Sequence, residues 1–407
     1  MKNKKIIFSA PLTHSDWFIH ENGPGWGEAG LRSMLEQCRD FGFTKILWRL
    51  YDCGRATYAS KLVEPFKWDE HEEVYQYSPG FIDPPPCHIM SRCEQIDYNT
   101  FDSLEAAVRI GHELGIEIHA WMTINEDDHG LGWSSRFTRQ YPEYRWIRRD
   151  GRTYYSQLSF SFPEVREYKL GLVKEALEYD VDGIFLDWIR TGDIRDNPQN
   201  DGNGIADYGY EKPNVDAFIK KYGMDPHKVD NRDERWVACR AEPLTEFMRE
   251  VRKAVNKHTK PIPLSALVQQ PWAYRGILPE MVTEETPEWV RRMRGNLVDG
   301  ALKGILCDVH TWANEGLVDE IVASGYYTGE GNQEKAYRYL EAETGGKVPL
   351  WLYCWVPGKS EDFVSDLALA EKLGVREMLF WEADYIDIRP EPQKREIIDA
   401  ITDYKKR

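Results

Sequence analysis

The sequence predicts an α/β protein, a single closed (β/α)8 barrel with long insertions after strands two, three, four and five. Three observations predict it. Short β-rich runs recur eight times, and a helical pattern separates most of them from the next. Several helical patterns end on Gly and pass at once into a β-rich run. The long connections all follow β-rich runs, whereas the helix-to-strand connections stay short. Parallel strands alternating with helices, without linker-like composition between them, close into one ring. A chain of 407 residues suits such a ring of about 250 residues plus insertions, as well as two or three domains of roughly 150. An open doubly wound sheet is the alternative. Its dinucleotide-binding form is disfavoured, because no Gly-x-Gly-x-x-Gly turn follows the first run.

In chain order, the runs cover residues 6–12, 45–52, 116–124, 183–189, 263–268, 320–327, 349–355 and 377–383. Helical patterns cover 28–41, 104–110, 163–179, 235–257, 287–297, 333–343, 361–373 and 393–405. Gly42, Gly115 and Gly374 follow Phe41, Leu114 and Leu373. Each sits where a helix must close in the left-handed conformation, which glycine tolerates. Asp102 with Glu105 has the spacing of a capping box, and Pro163 followed by Glu164 fits a first helical turn. The insertions span about 54–100, 127–162, 191–232 and 270–287. In a barrel of this type the connections after strands build the active face.

Lys and Arg total 52 against 68 Asp and Glu, a net charge of −16. That field repels phosphate backbones and anionic membranes, so neither nucleic acid nor membrane is an expected partner. Hydrophobic residues make up 42% and charged residues 29%, a globular balance rather than a disordered one. Aromatic residues reach 13%, with 15 Trp and 22 Tyr. Their flat faces and polar edges suit core packing and equally suit stacking on sugar rings. The 7 Cys are odd in number and scattered, as expected of reduced, mostly buried thiols. The N-terminus lacks the apolar region of a signal peptide, and no stretch approaches a membrane span. A cytoplasmic location is expected, or a secreted or periplasmic one if a leader has been removed.

Strand residues alternate in direction. In the fourth run, Ile184 and Leu186 facing the helices would turn Phe185 and Asp187 into the barrel. A carboxylate near the carboxyl end of a barrel strand sits where this fold places catalysis. The bland alternative pairs Asp187 with Arg190 to hold the next loop. In the third run the same phase turns His119 and Trp121 inward, with Glu126, Asp127 and Asp128 beyond the strand end. Trp381 and Glu382 stand at the end of the eighth run. Arg49, Tyr51 and Asp52 end the second, His14 and Asp16 follow the first, and Tyr326 with Tyr327 end the sixth. Two carboxyl groups across a pocket are what glycosidic cleavage requires: one protonates the leaving oxygen, the other attacks the anomeric carbon or activates water.

These segments carry a resemblance. Ala56, Tyr58, Ser60, Glu64 and Pro65 after the second run are similar to a motif of the family-10-like glycosyl hydrolases, the YngK-like group. Residues 102–108 leading to 112–121 resemble that family's helix and third strand. Residues 162–168 leading to 181–187 resemble its next unit, and 316–322 its approach to strand six. The resemblance implies a barrel acting on glycans, with Asp187 at the family's strand-four acid. Leu186 departs from it, standing where the family has a second acid. The stretch from Ala120 to Glu126 lacks the family's Asn and Arg.

The leading expectation is a glycoside hydrolase acting on an oligo- or polysaccharide. Asp187 is nucleophile, base or oxocarbenium stabiliser, and Glu126 or Glu382 the general acid. His119, Trp121, Trp188, Arg190, Arg49, Asp52, Asp127, Tyr327 and Trp381 are the expected substrate-binding residues. No cofactor or metal is expected. Geometrically, Asp187 should open into a solvent-reachable cup facing another acid. The competitors are a barrel that binds carbohydrate without cleaving it, and a metal-dependent hydrolase or isomerase. Strand one ends in Thr13-His14-Ser15-Asp16 rather than His-x-His, which disfavours the last.

Overall fold

The structure, a computed structural model, describes residues 6–18, 23–52, 54–66, 95–125, 127, 135–187, 189, 208–231, 233–269, 306–324, 332–355, 360–381 and 393–406. Eight strands close into a ring: β1 Ile7–Leu12, β2 Lys45–Arg49, β3 Glu117–Thr123, β4 Gly183–Asp187, β5 Leu264–Gln269, β6 Glu320–Ser324, β7 Leu350–Trp355 and β8 Glu377–Trp381. Every neighbouring pair is parallel, and β1 pairs with both β2 and β8, which closes the barrel. Each strand begins within one residue of its predicted start.

The predicted second run, 45–52, is interrupted. After Arg49 the Leu50 N–H bonds to the Trp121 carbonyl, and the Leu50 carbonyl accepts from Thr57. The chain then forms a two-stranded antiparallel hairpin, Tyr51–Asp52 with Arg55–Ala56, turned at Gly54 with φ of 70°. Periodicity does not reveal this because Tyr51 continues the apolar run.

The outer layer includes α1 Glu28–Phe41, α2 Ser103–Leu114, α3 Pro163–Ala176, α4 Lys212–Tyr222, α5 Glu234–Val255, α6 Val309–Glu315, α7 Asn332–Thr344, α8 Ser360–Leu373 and α9 Gln393–Lys406. Gly42 and Gly115 close α1 and α2 at φ of 93° and 74°. Asp102 caps α2 by accepting from the N–H groups of Leu104 and Glu105, while Glu105 turns to Arg109. The insertions hold structure that periodicity missed: α4, and a hairpin of Arg145–Ile147 with Thr153–Leu158. The helix expected at 287–297 lies outside the described residues.

Two separate apolar layers result from strand alternation. Phe8, Ala10, Ile46, Trp48, Ile118, Ala120, Ile184 and Leu186 face outward and join the helices in one large cluster. Leu47, Trp121, Phe185, Leu267, Val322, Trp351, Tyr353 and Leu379 fill the ring itself. Burying such side chains stabilises by roughly 1.5–3 kcal/mol each, so the ring is a packed core rather than a pore.

Below this plug, at the amino-terminal end, lies a polar floor. Lys45 on β2 donates to Glu377 on β8 at 2.7 Å, and its ammonium lies 4.2 Å from the Trp351 ring centre. Burial raises the Glu377 carboxyl to about 7, against the pull of Lys45. Burial also raises the half-buried Glu320. His119 belongs to this floor. Its Nε2 meets Glu117 at 3.2 Å, and its ring leaves no room for a side chain at Gly183, where an added Cβ would fall 2.1 Å from Nδ1. Desolvation lowers the imidazole pKa and keeps it neutral.

Gly183→Ala is therefore expected to cost about 1–3 kcal/mol in denaturant unfolding; an unchanged midpoint would show that the floor is loosely packed. A second expectation concerns pH. A carboxyl raised in the folded state holds its proton more tightly there than in the unfolded chain. Its stabilisation is present below the ordinary value of 4.5 and is lost as pH rises towards 7. Thermal melts across that window should show a shallower loss of stability in Glu377→Gln than in the unaltered protein. The difference is on the order of 3 kcal/mol, and parallel curves would refute it.

Candidate active site

Above the plug, the carboxyl ends of the strands bring a second polar group together. Asp187 is the last residue of β4, pairs in register with Thr123 on β3, and points into the ring beyond Phe185. Its Oδ2 accepts the indole N–H of Trp121 at 3.0 Å. Trp121 is 5% exposed; its ring packs edge-on against Trp381 at 5.3 Å, and Trp381 leans on Tyr353 at 5.6 Å. The Arg49 guanidinium lies over the Trp121 ring, 5.0 Å from its centre. Residues from β2, β3, β4, β7 and β8 thus form one continuous group beside Asp187.

The group is held from outside the ring. Tyr51, in the hairpin after β2, offers its carbonyl to both Arg49 Nε at 3.1 Å and Thr123 Oγ1 at 2.7 Å. The Tyr51 hydroxyl meets that of Tyr58 at 2.7 Å, and Tyr58 donates to Glu175 on α3 at 2.7 Å. Glu175 also accepts from Ser60 and from the Lys61 N–H. Burial raises both tyrosines well above their ordinary range, so the phenols stay neutral donors. Tyr58 and Ser60 are two residues of the motif that carried the family resemblance. Their structural work is to anchor the segment after β2 on α3.

Two sequence expectations are corrected here. His119 does not stand at this face. It sits near the amino-terminal end of β3, level with Leu47 and Gly183 in register, and the apolar plug separates it from Asp187. Alternation gave its direction correctly but not its depth. Asp127 is 0% exposed, and both its oxygens accept from Lys169 on α3, at 2.8 and 2.7 Å. Its carbonyl accepts from Ser135. That side chain ties the loop after β3 to the helix layer instead of binding a ligand. Sequence reading missed Lys169 because it falls among helix positions 42 residues away.

Asp187 itself is 0% exposed. The solvent-reachable cup expected around it is not seen, because the side chain is fully buried. Glu126, Glu382, Trp188, Arg190 and Tyr327 lie outside the described residues, as does the side chain of Asp52. The Asp187–Arg190 pairing therefore stays with the sequence reading. Among the described residues, no three His, Cys, Asp or Glu side chains gather as a metal-ligand set, and no helix is long and apolar enough to cross a membrane.

Residues 89–349, more than half of the chain, match the family described as glycosyl hydrolase-like 10. The chain belongs to this family. The glycosyl hydrolase-like match thus agrees with the resemblance carried by residues 102–121 and 162–187. Solved structures similar in fold include the catalytic domain of β-amylase from Paenibacillus polymyxa, at 9% identity and a TM-score of 0.57, with 98% of each chain covered. β-Galactosidase from Bacillus circulans sp. alkalophilus aligns at 10% identity and a TM-score of 0.60, covering 98% of this chain and 56% of the other. The Marinomonas ef1 β-galactosidase aligns at 10% and 0.56, covering 98% and 60%. No curated protein matches the chain in sequence. At these identities the solved structures establish the barrel; the family establishes the glycosyl hydrolase-like character.

Removing Lys169 leaves a buried carboxylate without its cation. Lys169→Met is expected to destabilise by about 3–5 kcal/mol, with Lys169→Met/Asp127→Leu recovering much of it. Equal losses in the single and double variants, measured by denaturant unfolding, would show that the two groups are not coupled.

Proposed function

We propose that this chain is a glycoside hydrolase whose reaction centres on Asp187 at the carboxyl-terminal face of the barrel. The supporting observation is Asp187's placement: a strand-terminal carboxylate turned into the ring, orientated by a fixed donor and surrounded by aromatic side chains. In this fold, that end of the strands is where reacting groups collect. Sugar rings present apolar faces and hydroxyl edges, which the partly exposed Trp381 matches with a flat ring next to Trp121.

In the proposed reaction one carboxyl protonates the glycosidic oxygen, so that the leaving sugar departs as an alcohol. The other attacks the anomeric carbon or takes a proton from the water that does. Asp187 fills the second role. The proton donor is sought at Glu126 and Glu382, which follow Asn125 and Trp381 directly in the chain. Because Asp187 is closed off, substrate reaches it only when covering side chains move aside. Closure of this kind excludes water from the reacting centre.

The departure at Leu186 does not weigh against catalysis. Leu186 faces the helices, packed with the outer core, while Asp187 faces the ring. Of two neighbouring strand residues only one enters the barrel. An acid at 186 would leave the interior unchanged, and its loss removes no carboxylate from it.

A second reading has one observation in its favour. Complete burial is also what a structural acceptor shows, joining β3 to β4 through Trp121. The barrel would then bind saccharide without cleaving it. Asp187→Asn, screened beside the unaltered protein on a glycan library, separates the two. Catalysis predicts a loss of at least about 10²–10⁴-fold in turnover with folding and sugar binding retained. Equal turnover would refute the proposed role. Sugar binding by both proteins with cleavage by neither supports the second reading.

A further inference from the structure

Arg49 and Trp121 entered as substrate-binding residues, yet their contacts point elsewhere. Trp121 is almost wholly buried, with one ring edge against Trp381 and its N–H spent on Asp187. Such a ring presents no face for a sugar to stack on. Arg49 lies over that same indole, with its Nε fixed by the Tyr51 carbonyl.

We propose that Arg49 and Trp121 act as one positioning unit for Asp187: the guanidinium, held over the indole, strengthens the hydrogen bond that the Trp121 N–H donates to the carboxylate. This rests on the reading of Asp187 as the reacting group. A cation over an aromatic face is attracted to the ring's electron density, and the density it draws leaves the indole N–H a better donor. The indole nitrogen only donates, so Oδ2 of Asp187 remains an acceptor at every stage. The bond therefore favours the charged carboxylate and fixes its plane relative to the indole.

The remaining contacts have the same purpose. Trp381 closes one side of the indole, so the ring cannot swing away from Asp187 without displacing a second tryptophan. Tyr51 ties the cation and Thr123 to one carbonyl, and Thr123 pairs in register with Asp187. The unit is thus anchored through the Tyr51–Tyr58–Glu175 chain. A change at Tyr58, remote from the carboxylate, has a route to it.

The test uses Trp121→Phe, Arg49→Met and Arg49→Lys, with Asp187→Asn alongside. Trp121→Phe keeps an aromatic ring in the plug and deletes the donor together with the second ring of the indole. It is expected to lower kcat about 10–100-fold, leave KM within about twofold, and move the acid limb of the kcat/KM profile up by about one pH unit. Arg49→Met should shift both in the same direction by less, and Arg49→Lys, which keeps the charge, should recover part of the loss. A raised KM with unchanged kcat would mean that Trp121 stacks on sugar after all, and would overturn the proposal. Protein labelled at aspartate 13Cγ supplies a readout independent of any substrate. The resonance missing from Asp187→Asn identifies residue 187, and its titration midpoint should rise in Trp121→Phe. An unchanged midpoint overturns the proposal. Full turnover by Asp187→Asn would instead remove the reading beneath it.

Discussion

Closure of eight parallel strands is the constraint from which everything else in this protein follows. A closed ring has no edge strand, so every strand has a neighbour on both sides, and each strand side chain faces either the ring or the helices. The interior must then be filled. Here one apolar plug from Leu47 to Leu379 fills it and splits the polar interior into two groups that do not meet.

The two groups differ in kind. The floor holds Lys45, Glu377, Glu320 and His119, charged or titratable groups whose attraction is offset by the cost of leaving water. That balance explains why Glu377 keeps a proton far above its ordinary range despite an ammonium at 2.7 Å. Packing of His119 against Gly183 and of Lys45 against Trp351 adds to what holds this end together. The upper group is built on hydrogen bonds and ring contacts around Asp187. Its outer anchors reach α3 twice, through Glu175 and through Lys169. A single helix therefore holds both the segment after β2 and the loop after β3.

Much of this was legible in the sequence, for reasons that particular residues make clear. Glycines at 42, 115 and 374 marked the helix ends because only a left-handed residue closes those turns. The inward phase of Asp187 and Trp121 followed from the apolar neighbours Ile184, Leu186, Ile118 and Ala120, all of which pack outward. Depth along the barrel axis was not legible. His119 and Trp121 share a phase two residues apart, yet Trp121 belongs to the plug and His119 lies below it. Nor was the fate of Asp127: a buried ion pair between a loop and a helix leaves no periodic trace, and an acid just beyond a strand end reads the same whether it binds a ligand or a lysine. The hairpin after Arg49 was hidden by Tyr51, whose aromatic ring prolonged the pattern past the true strand end.

The central claim is that sugar chemistry occurs at Asp187, and a crystal structure of Asp187→Asn soaked with a bound oligosaccharide tests it most directly. The account predicts a sugar ring seated at the carboxyl-terminal mouth, its anomeric carbon within roughly 3–3.5 Å of the residue-187 side chain, with the Trp121–Trp381 contact kept. An oligosaccharide bound elsewhere on the barrel, with residue 187 still sealed beneath Trp121, would contradict it.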